Sequence, residues 1–308
     1  MLGNAHAEPA LWAVAGSHNT VYLFGSVHLL PEGGFAIGGA LAEAYGDAEE
    51  VCFEVDSSKL DPATTTSITL ARAVDPEGRN LFELLGPAAD RARATAAAAG
   101  IEIAQFAPFE PWFAGLTISV MALQQHGYDV EHGVEQIIEA SADRDGKARC
   151  GLETLDYQLG MLDGMPAELQ EKLLMQSLEE AGEIDAVIEP MLAAWRAGDE
   201  RALVRSLDED FEDYPELAEQ LIFARNERWA GLVGDMLDGN IYTYYVLIFL
   251  PDQGEAISQM PVDSTIRASG IYIGYFYPPK NFFAAFPNEN EDTKFPSIKA
   301  ETASYGCP

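Results

Sequence analysis

A short apolar run, Val21–Phe24, constrains this chain more than any other feature, because it ends in Gly25 and is followed by His28. The run is too short to make a helix of its own, so it predicts a buried strand that stops at the glycine. Side chains that follow such a strand lie at the edge of a sheet, where solvent can enter. His28 is therefore predicted where an imidazole can hold a metal ion or move a proton; the alternative is a histidine that caps a turn.

The hydrophobic periodicity of the rest of the chain predicts an opening in β-β-α-β order and a long helical middle. Leu11–Ala15 and Thr20–Phe24 are predicted to form a hairpin around a Gly-Ser-His-Asn turn. Residues 155–237 have helical spacing, interrupted at glycine and proline turns. The other predicted elements are a helix over Phe35–Glu50, a strand over Val51–Val55, helices over Ala88–Ala99, Pro111–Gln125 and Val130–Asp143, and strands over Lys147–Leu152 and Ile241–Leu250.

The composition excludes several classes of partner. The chain has 308 residues, 48% of them hydrophobic, and a formal net charge of −32. Nucleic acids and anionic membrane surfaces are bound by clustered Lys and Arg, which this sequence lacks, so neither is expected as a partner. Its apolar runs are shorter than the roughly 18 residues that a transmembrane helix requires, so no transmembrane segment is expected.

The first residues suggest export. Ala5-His6-Ala7 has the small-x-small form of a secretory cleavage site, so residues 1–7 are predicted to be the end of a signal peptide. The alternative is an ordinary polar start. An exported protein would reside in a bacterial periplasm or outside the cell. Cys52 and Cys150 are expected to be small buried hydrophobic residues, although in an exported protein they could pair if their strands were neighbours.

An acidic residue inside an apolar strand is a candidate for chemistry. Glu54 lies between Phe53 and Val55, and strand alternation places it on the face opposite to both. Asp56, two residues on, is expected to share that face. A buried carboxylate without a partner costs several kcal/mol, so it is usually paired, protonated or bound to a metal. The alternative is an acid at a sheet edge that faces water.

Three further polar residues are candidates for the same site. Glu153 follows a predicted strand, and Thr154 is expected to cap the next helix, which would turn Glu153 toward the strand ends or leave it as a capping acid. Arg225 and Asn226 lie in a long predicted helix near Trp229. The arginine can neutralise a buried carboxylate or hold a substrate carboxylate, unless it lies on an acidic surface.

Taken together, these segments resemble the TraB/GumN family, which is related to the Tiki proteases and more distantly to the erythromycin-esterase/ChaN group. The ordered set of motifs carries the resemblance across roughly residues 11–240, since each motif is short and unspecific by itself. The matching segments are Leu23-Phe24-Gly25-Ser26-Val27-His28, Phe53-Glu54-Val55-Asp56, Pro111-Trp112, Gly133-Val134-Glu135-Gln136, Gly151-Leu152-Glu153-Thr154 with Gln158-Leu159, and Arg225-Asn226-Glu227-Arg228-Trp229.

The resemblance implies an α/β fold with central mixed β-sheets surrounded by helices, and a domain over residues 8–250. It implies a site at the strand ends that is built from His28, Glu54, Glu153, Arg225 and Asn226. Tiki relatives are metal-dependent proteases, so a divalent metal on His28 and Glu54 is expected to polarise a carbonyl and lower the pKa of a bound water. Glu54 or Glu153 would ligate the metal or accept the proton of that water. The expected substrate is a peptide or a small molecule.

The chain departs from the family pattern after the predicted Arg-Asn helix. The family carries a second Gly-x-x-His at the end of a strand that Tyr244–Ile248 resembles, but no histidine follows His132 here. Residues 251–308 are interpreted as a divergent, irregular C-terminal segment; a short deletion, a change of reading frame or a divergent replacement of the segment would explain it. Three functions remain open: an exported metal-dependent peptidase, a non-catalytic protein that binds or sequesters peptides, and a folded protein whose site residues persist without activity.

Overall fold

The computed structural model of the chain describes residues 8–199, 201–203, 205, 219–239 and 244–248. A five-stranded sheet forms its centre, in the order β1-β2-β7-β4-β6. The β1–β2 pair is antiparallel, whereas β2–β7, β7–β4 and β4–β6 are parallel. The strands span Leu11–Ala15 (β1), Thr20–Gly25 (β2), Glu50–Val55 (β4), Ala148–Glu153 (β6) and Tyr244–Ile248 (β7).

Helices cover this sheet and fill the middle of the chain. They span Gly39–Asp47 (α1), Pro62–Ala73 (α2), Leu81–Leu85 (α3), Ala89–Ala98 (α4), Pro111–Gln125 (α5), Val134–Asp145 (α6), Leu155–Asp163 (α7), Ala167–Glu180 (α8), Ile184–Ala197 (α9) and Ala224–Gly239 (α10). A π-helical turn over Glu219–Phe223 precedes α10. The predicted α/β class, with central mixed sheets and a largely helical middle, is therefore confirmed.

Three apolar cores hold these layers together. On one face of the sheet, Phe24, Val51 and Phe53 pack with residues of α1, α6 and α9. On the other face, Leu23 and Cys52 pack with residues of α10, including Trp229. The third core lies among the helices of the middle segment, where α5 is buried along most of its length. The alternating strand residues therefore separate two helical layers, as expected for a sheet covered on both sides.

Two local features differ from the predicted elements. The predicted helix over Val130–Asp143 is split: a 3₁₀ turn covers Val130–His132, and α6 starts at Val134 after Gly133. A second sheet, which the sequence pattern did not reveal, pairs the two-residue strands Leu30–Pro31 (β3) and Tyr128–Asp129 (β5) in antiparallel fashion. Such short strands carry too little periodicity to be predicted.

The polarity of the sheet brings the predicted site residues to one edge. β2, β4, β6 and β7 run parallel, so their carboxyl ends lie at the same edge. The segment that carries His28 leaves β2 at this edge. Glu54 is the second-to-last residue of β4, and Glu153 is the last residue of β6. In open parallel sheets, ligands bind outside the carboxyl ends of the strands.

Cys52 and Cys150 form a disulfide, so the expectation of two unpaired buried thiols is wrong and the alternative pairing holds. The two residues face each other on the adjacent strands β4 and β6. The bridge closes a segment with a sequence separation of 98 residues, which contains α2 to α6. It also fixes the register of the two strands that carry Glu54 and Glu153.

Some predictions lie outside the described residues. They are the signal-peptide end over residues 1–7 and the divergent segment over residues 251–308. Within the described part of the chain, no helix is both long enough and apolar enough to cross a bilayer.

Removing the disulfide should destabilise the fold. In the chain-entropy account, cross-linking a loop of this length stabilises the native state by about 2–5 kcal/mol. We expect the Cys52→Ala/Cys150→Ala variant to lose this amount in urea-induced unfolding at neutral pH. A reducing agent should lower the stability of the wild type and leave that of the double variant unchanged. Equal stability of the reduced and oxidised wild type would contradict the bridge.

Candidate active site at the carboxyl ends of the strands

Arg225 joins the two predicted carboxylates. Its Nη2 lies 2.6 Å from Oε2 of Glu54 and 2.8 Å from Oε2 of Glu153. Its Nε donates to both oxygens of Glu153 at 3.2 Å, and Nη1 donates to the carbonyl of Leu221 at 3.4 Å. The guanidinium therefore bonds β4, β6 and the turn before α10, and the prediction that Arg225 neutralises an acid holds for both acids.

Gln158 completes this carboxylate cluster from the first turns of α7. Its Nε2 donates to Glu54 at 2.9 Å and to Glu153 at 3.1 Å. Thr154 caps α7 as predicted, because its side chain accepts the amide of Tyr157 at 3.2 Å. The chain turns from β6 into α7 at this cap. Glu153 therefore points toward the strand ends, and Gln158 of α7 lies against its carboxylate.

The cluster is almost sealed from solvent. The side chains of Glu54, Arg225 and Glu153 are 10%, 8% and 0% exposed. Burial of charges at this depth costs several kcal/mol per ion unless each charge is paired and hydrogen-bonded. The guanidinium and the amide of Gln158 supply those bonds.

His28 lies in a second ion pair at the same edge. Its Nδ1 is 2.9 Å from Oε1 of Glu135, at the start of α6, and Ser26 Oγ donates to the same oxygen. Burial lowers the pKa of His28, but the charge and hydrogen bond of Glu135, with a further contribution from Glu54, outweigh it and raise the pKa from 6.5 to about 9. The imidazole is therefore protonated at neutral pH.

The His28–Glu135 pair and the cluster of Arg225, Glu54 and Glu153 act on each other electrostatically. The charge of Glu54 raises the pKa of His28, and the charge of Arg225 lowers it. Burial raises the pKa of Glu135, but the neighbouring His28 outweighs that effect and holds it below its ordinary value. The strand-end edge thus gathers a positively charged imidazole and guanidinium among three carboxylates.

The structure places the two remaining candidates, Asn226 and Asp56, in different surroundings. Asn226 follows Arg225 in α10 and is 3% exposed, but its catalytic role stays a prediction. Asp56 does not join Glu54, because β4 ends at Val55 and the chain enters a 3₁₀ turn that Asp56 caps. Its carboxylate instead lies 3.2 Å from Arg149 and 3.0 Å from Lys59, so the expectation of a shared face is wrong.

Sequence reasoning assigned no role to Glu135, Ser26 or Gln158, although the structure brings all three to the site. Each lies within a segment that carried the family resemblance. Their signal was present in Gly133-Val134-Glu135-Gln136, in the Ser of Gly25-Ser26-Val27-His28, and in Gln158-Leu159. What the sequence could not show is which of these residues face one another across elements distant in the chain.

A comparison with protein families covers the part of the chain that carries these residues. The sequence model of the TraB/PrgY/gumN family matches residues 10–246, which include every residue of the cluster. The chain belongs to the TraB/PrgY/gumN family. No curated protein matches the chain, and no solved structure does. The family resemblance drawn from the ordered motifs is therefore confirmed, whereas the link to Tiki proteases stays a prediction.

The donor atoms of this TraB-family site test the predicted metal. Among the described residues, no group of three His, Cys, Asp or Glu side chains is placed to hold a metal ion. Glu54 Oε2 accepts from Arg225 and Gln158, and Nδ1 of His28 lies against Glu135. These residues as arranged fit an ion-pair network and do not fit a metal held by His28 and Glu54. The divalent metal stays a prediction that rests on the resemblance.

Removing the guanidinium should destabilise the TraB-family fold. The Arg225→Met variant leaves Glu54 and Glu153 buried without a counter-charge, which costs roughly 3–5 kcal/mol in unfolding free energy at neutral pH. Arg72→Met is a matched control, because that arginine also bonds two acids but is 35% exposed, where ion pairs contribute at most about 1 kcal/mol. Equal losses in chemical denaturation of the two variants would contradict a structural role for Arg225.

The His28–Glu135 pair should make stability depend on pH in the metal-free protein. A histidine pKa raised from 6.5 to about 9 stabilises the folded state fully below pH 6.5, and this contribution is lost as the pH rises through about 9. We expect the unfolding free energy to fall by about 3 kcal/mol over this window, and His28→Gln to flatten the fall. An unchanged profile in that variant would place the titration elsewhere.

Proposed function

We propose that this protein is an exported hydrolase that cleaves peptide bonds at the strand-end site. One observation carries the proposal: five charged residues, contributed by the segment after β2 and by β4, β6, α6 and α10, converge at the carboxyl edge of the sheet. The residues are His28, Glu54, Glu135, Glu153 and Arg225. Such a buried cluster is costly to keep and is typical of a functional site.

The residues divide into two chemical roles. Glu54 and Glu153 are candidate bases, because a carboxylate can accept a proton from a water that attacks a carbonyl carbon. His28 is the candidate acid, since the Glu135 carboxylate keeps it protonated at neutral pH. Arg225 and Gln158 hold the two carboxylates in place.

These groups account for each proton that moves during the hydrolysis. The oxygen of a water bonds to the carbonyl carbon while its proton passes to Glu54 or Glu153. The C–N bond then breaks, and the departing amine takes the proton of His28 through Nε2, because Nδ1 is turned toward Glu135. The proton on the carboxyl group returns to the imidazole, which restores the starting state. The products are a carboxylate and a protonated amine, because the new carboxylic acid passes its proton to the amine that leaves.

The proposed export has independent chemical support. Disulfides persist in oxidising compartments such as the bacterial periplasm and are rare in the cytosol. Cys52 and Cys150 are bonded across adjacent strands of the central sheet. This agrees with the secretory cleavage pattern of Ala5-His6-Ala7.

A second candidate function is peptide binding without cleavage. Two observations favour it. The sequence has no histidine after His132, where the family carries its second Gly-x-x-His, and the carboxylates of Glu54 and Glu153 both bond to Arg225. A protein with this arrangement could sequester a peptide between the strand ends.

Cleavage of a peptide library by the purified protein tests the proposal. New termini detected by mass spectrometry are expected for the wild type, and His28→Ala should reduce their rate of formation by roughly 100-fold or more. His126→Ala is the matched control, because that histidine also pairs with an acid, Asp185, at 2.8 Å, but on the surface. Each reaction is run with added Zn²⁺, Mn²⁺ or chelator, which tests the metal separately.

Each outcome of this assay separates the candidates. Peptides retained intact by the wild type, and released by His28→Ala, would favour sequestration over hydrolysis. Equal cleavage by wild type and His28→Ala would remove His28 from the chemistry. Cleavage that requires an added metal would show that the ion-pair network opens to accept it.

A further inference from the structure

The segment that carries His28 is docked on the start of α6 by its backbone. The amide of Val134 donates to the carbonyl of Val27 at 3.0 Å. This bond crosses from the segment after β2 to the first turn of a helix more than a hundred residues later in the chain. It uses one of the amides that a helix N-terminus leaves without an intrahelical partner.

Gly133 makes this close docking possible. A Cβ at Gly133 would overlap the carbonyl oxygen and carbon of His28. The backbone of Gly133 has φ −64°, which any residue adopts, so the requirement for glycine here comes from space. The absence of a side chain lets α6 approach the histidine segment until the side chain of Glu135 reaches it.

Glu135 then receives two bonds from the same short segment. Its Oε1 lies 2.9 Å from Nδ1 of His28 and accepts the hydroxyl of Ser26. The ring nitrogen and the hydroxyl approach one carboxylate oxygen from residues two apart in sequence. This fixes the tilt of the imidazole and places a proton on Nδ1, toward Glu135.

We propose that Glu135 is a positioning residue: together with Gly133 and Ser26 it forms a socket that orients the imidazole of His28. The inference rests on the proposed hydrolysis for its catalytic consequence. Its structural part, the fixed ring, stands on the contacts of the socket. In this role Glu135 touches no reacting atom and acts through the histidine.

The same helix provides a matched control. Glu139 lies one turn further along α6, and its carboxylate bonds Arg149 at 2.6 Å and Ser57 at 2.7 Å. Its side chain is 10% exposed, against 18% for Glu135. Glu135→Gln and Glu139→Gln therefore neutralise acids of similar burial on one helix, and Glu139 bonds Arg149 and Ser57 instead of the histidine segment.

Steady-state kinetics and NMR of the full chain test the inference together. Glu135→Gln is expected to lower kcat for a cleaved peptide by roughly 10–100-fold with little change in KM, and Glu135→Asp to recover part of the loss. Ser26→Ala should lower kcat less. The ¹⁵N signals of the His28 ring should shift in Glu135→Gln, whereas Glu139→Gln leaves both kcat and these signals near wild type.

The kcat values and the NMR signals of the His28 ring test different parts of the inference. If the wild type cleaves no peptide, the proposed hydrolysis fails, and the ring signals alone decide the positioning role. Unchanged His28 signals in Glu135→Gln would overturn the inference, as would a kcat equal to that of the wild type. Equal shifts in Glu135→Gln and Glu139→Gln would also overturn it, because they would indicate a general effect of charge loss on α6.

Discussion

The ion pairs of Arg225 with Glu54 and Glu153 are the interaction on which the rest of this structure depends. They connect the outer helix α10 to two strands of the sheet, and the guanidinium also lies 4.5 Å from the ring centre of Trp229, in the apolar core on that face. Loss of the guanidinium would leave both carboxylates buried without a counter-charge, so the pairing of α10 with both strands depends on this one side chain. The covering of the sheet and the integrity of the site are therefore one requirement.

Helix α6 has a comparable double function. Glu135, at its start, holds the histidine segment, and Glu139, one turn later, holds Arg149 of β6. Arg149 also bonds Asp56, which caps the turn after β4. The helix thus ties together the chain segments that leave β2 and β4, and it does so through acids spaced by one helical turn. This spacing lets one rigid element set the positions of both.

Much of this arrangement follows from local sequence patterns, and the remainder follows from contacts between distant elements. The hairpin, the strand that carries Glu54 and the helix over Pro111–Gln125 were predictable because their periodicity or end residues are strong. Glu54 was placed on the correct face by alternation. Asp56 was misplaced because the strand ends one residue before it, and the cysteines were misjudged because sequence does not reveal which strands are neighbours. Glu135 escaped notice for the same reason, since its partner lies far away in the chain.

The central place of β7 sets the order in which the molecule can assemble. This strand is the last one described along the chain, yet it lies between β2 and β4. Until residue 244 has emerged from a ribosome or a translocation channel, the hairpin and the bridged pair are half-sheets, each with an exposed edge on β2 or β4. Unpaired edges of this kind invite association with other chains. These two edges therefore stay unpaired in a newly made chain until synthesis has run nearly to the end of the domain, and only then can the halves close.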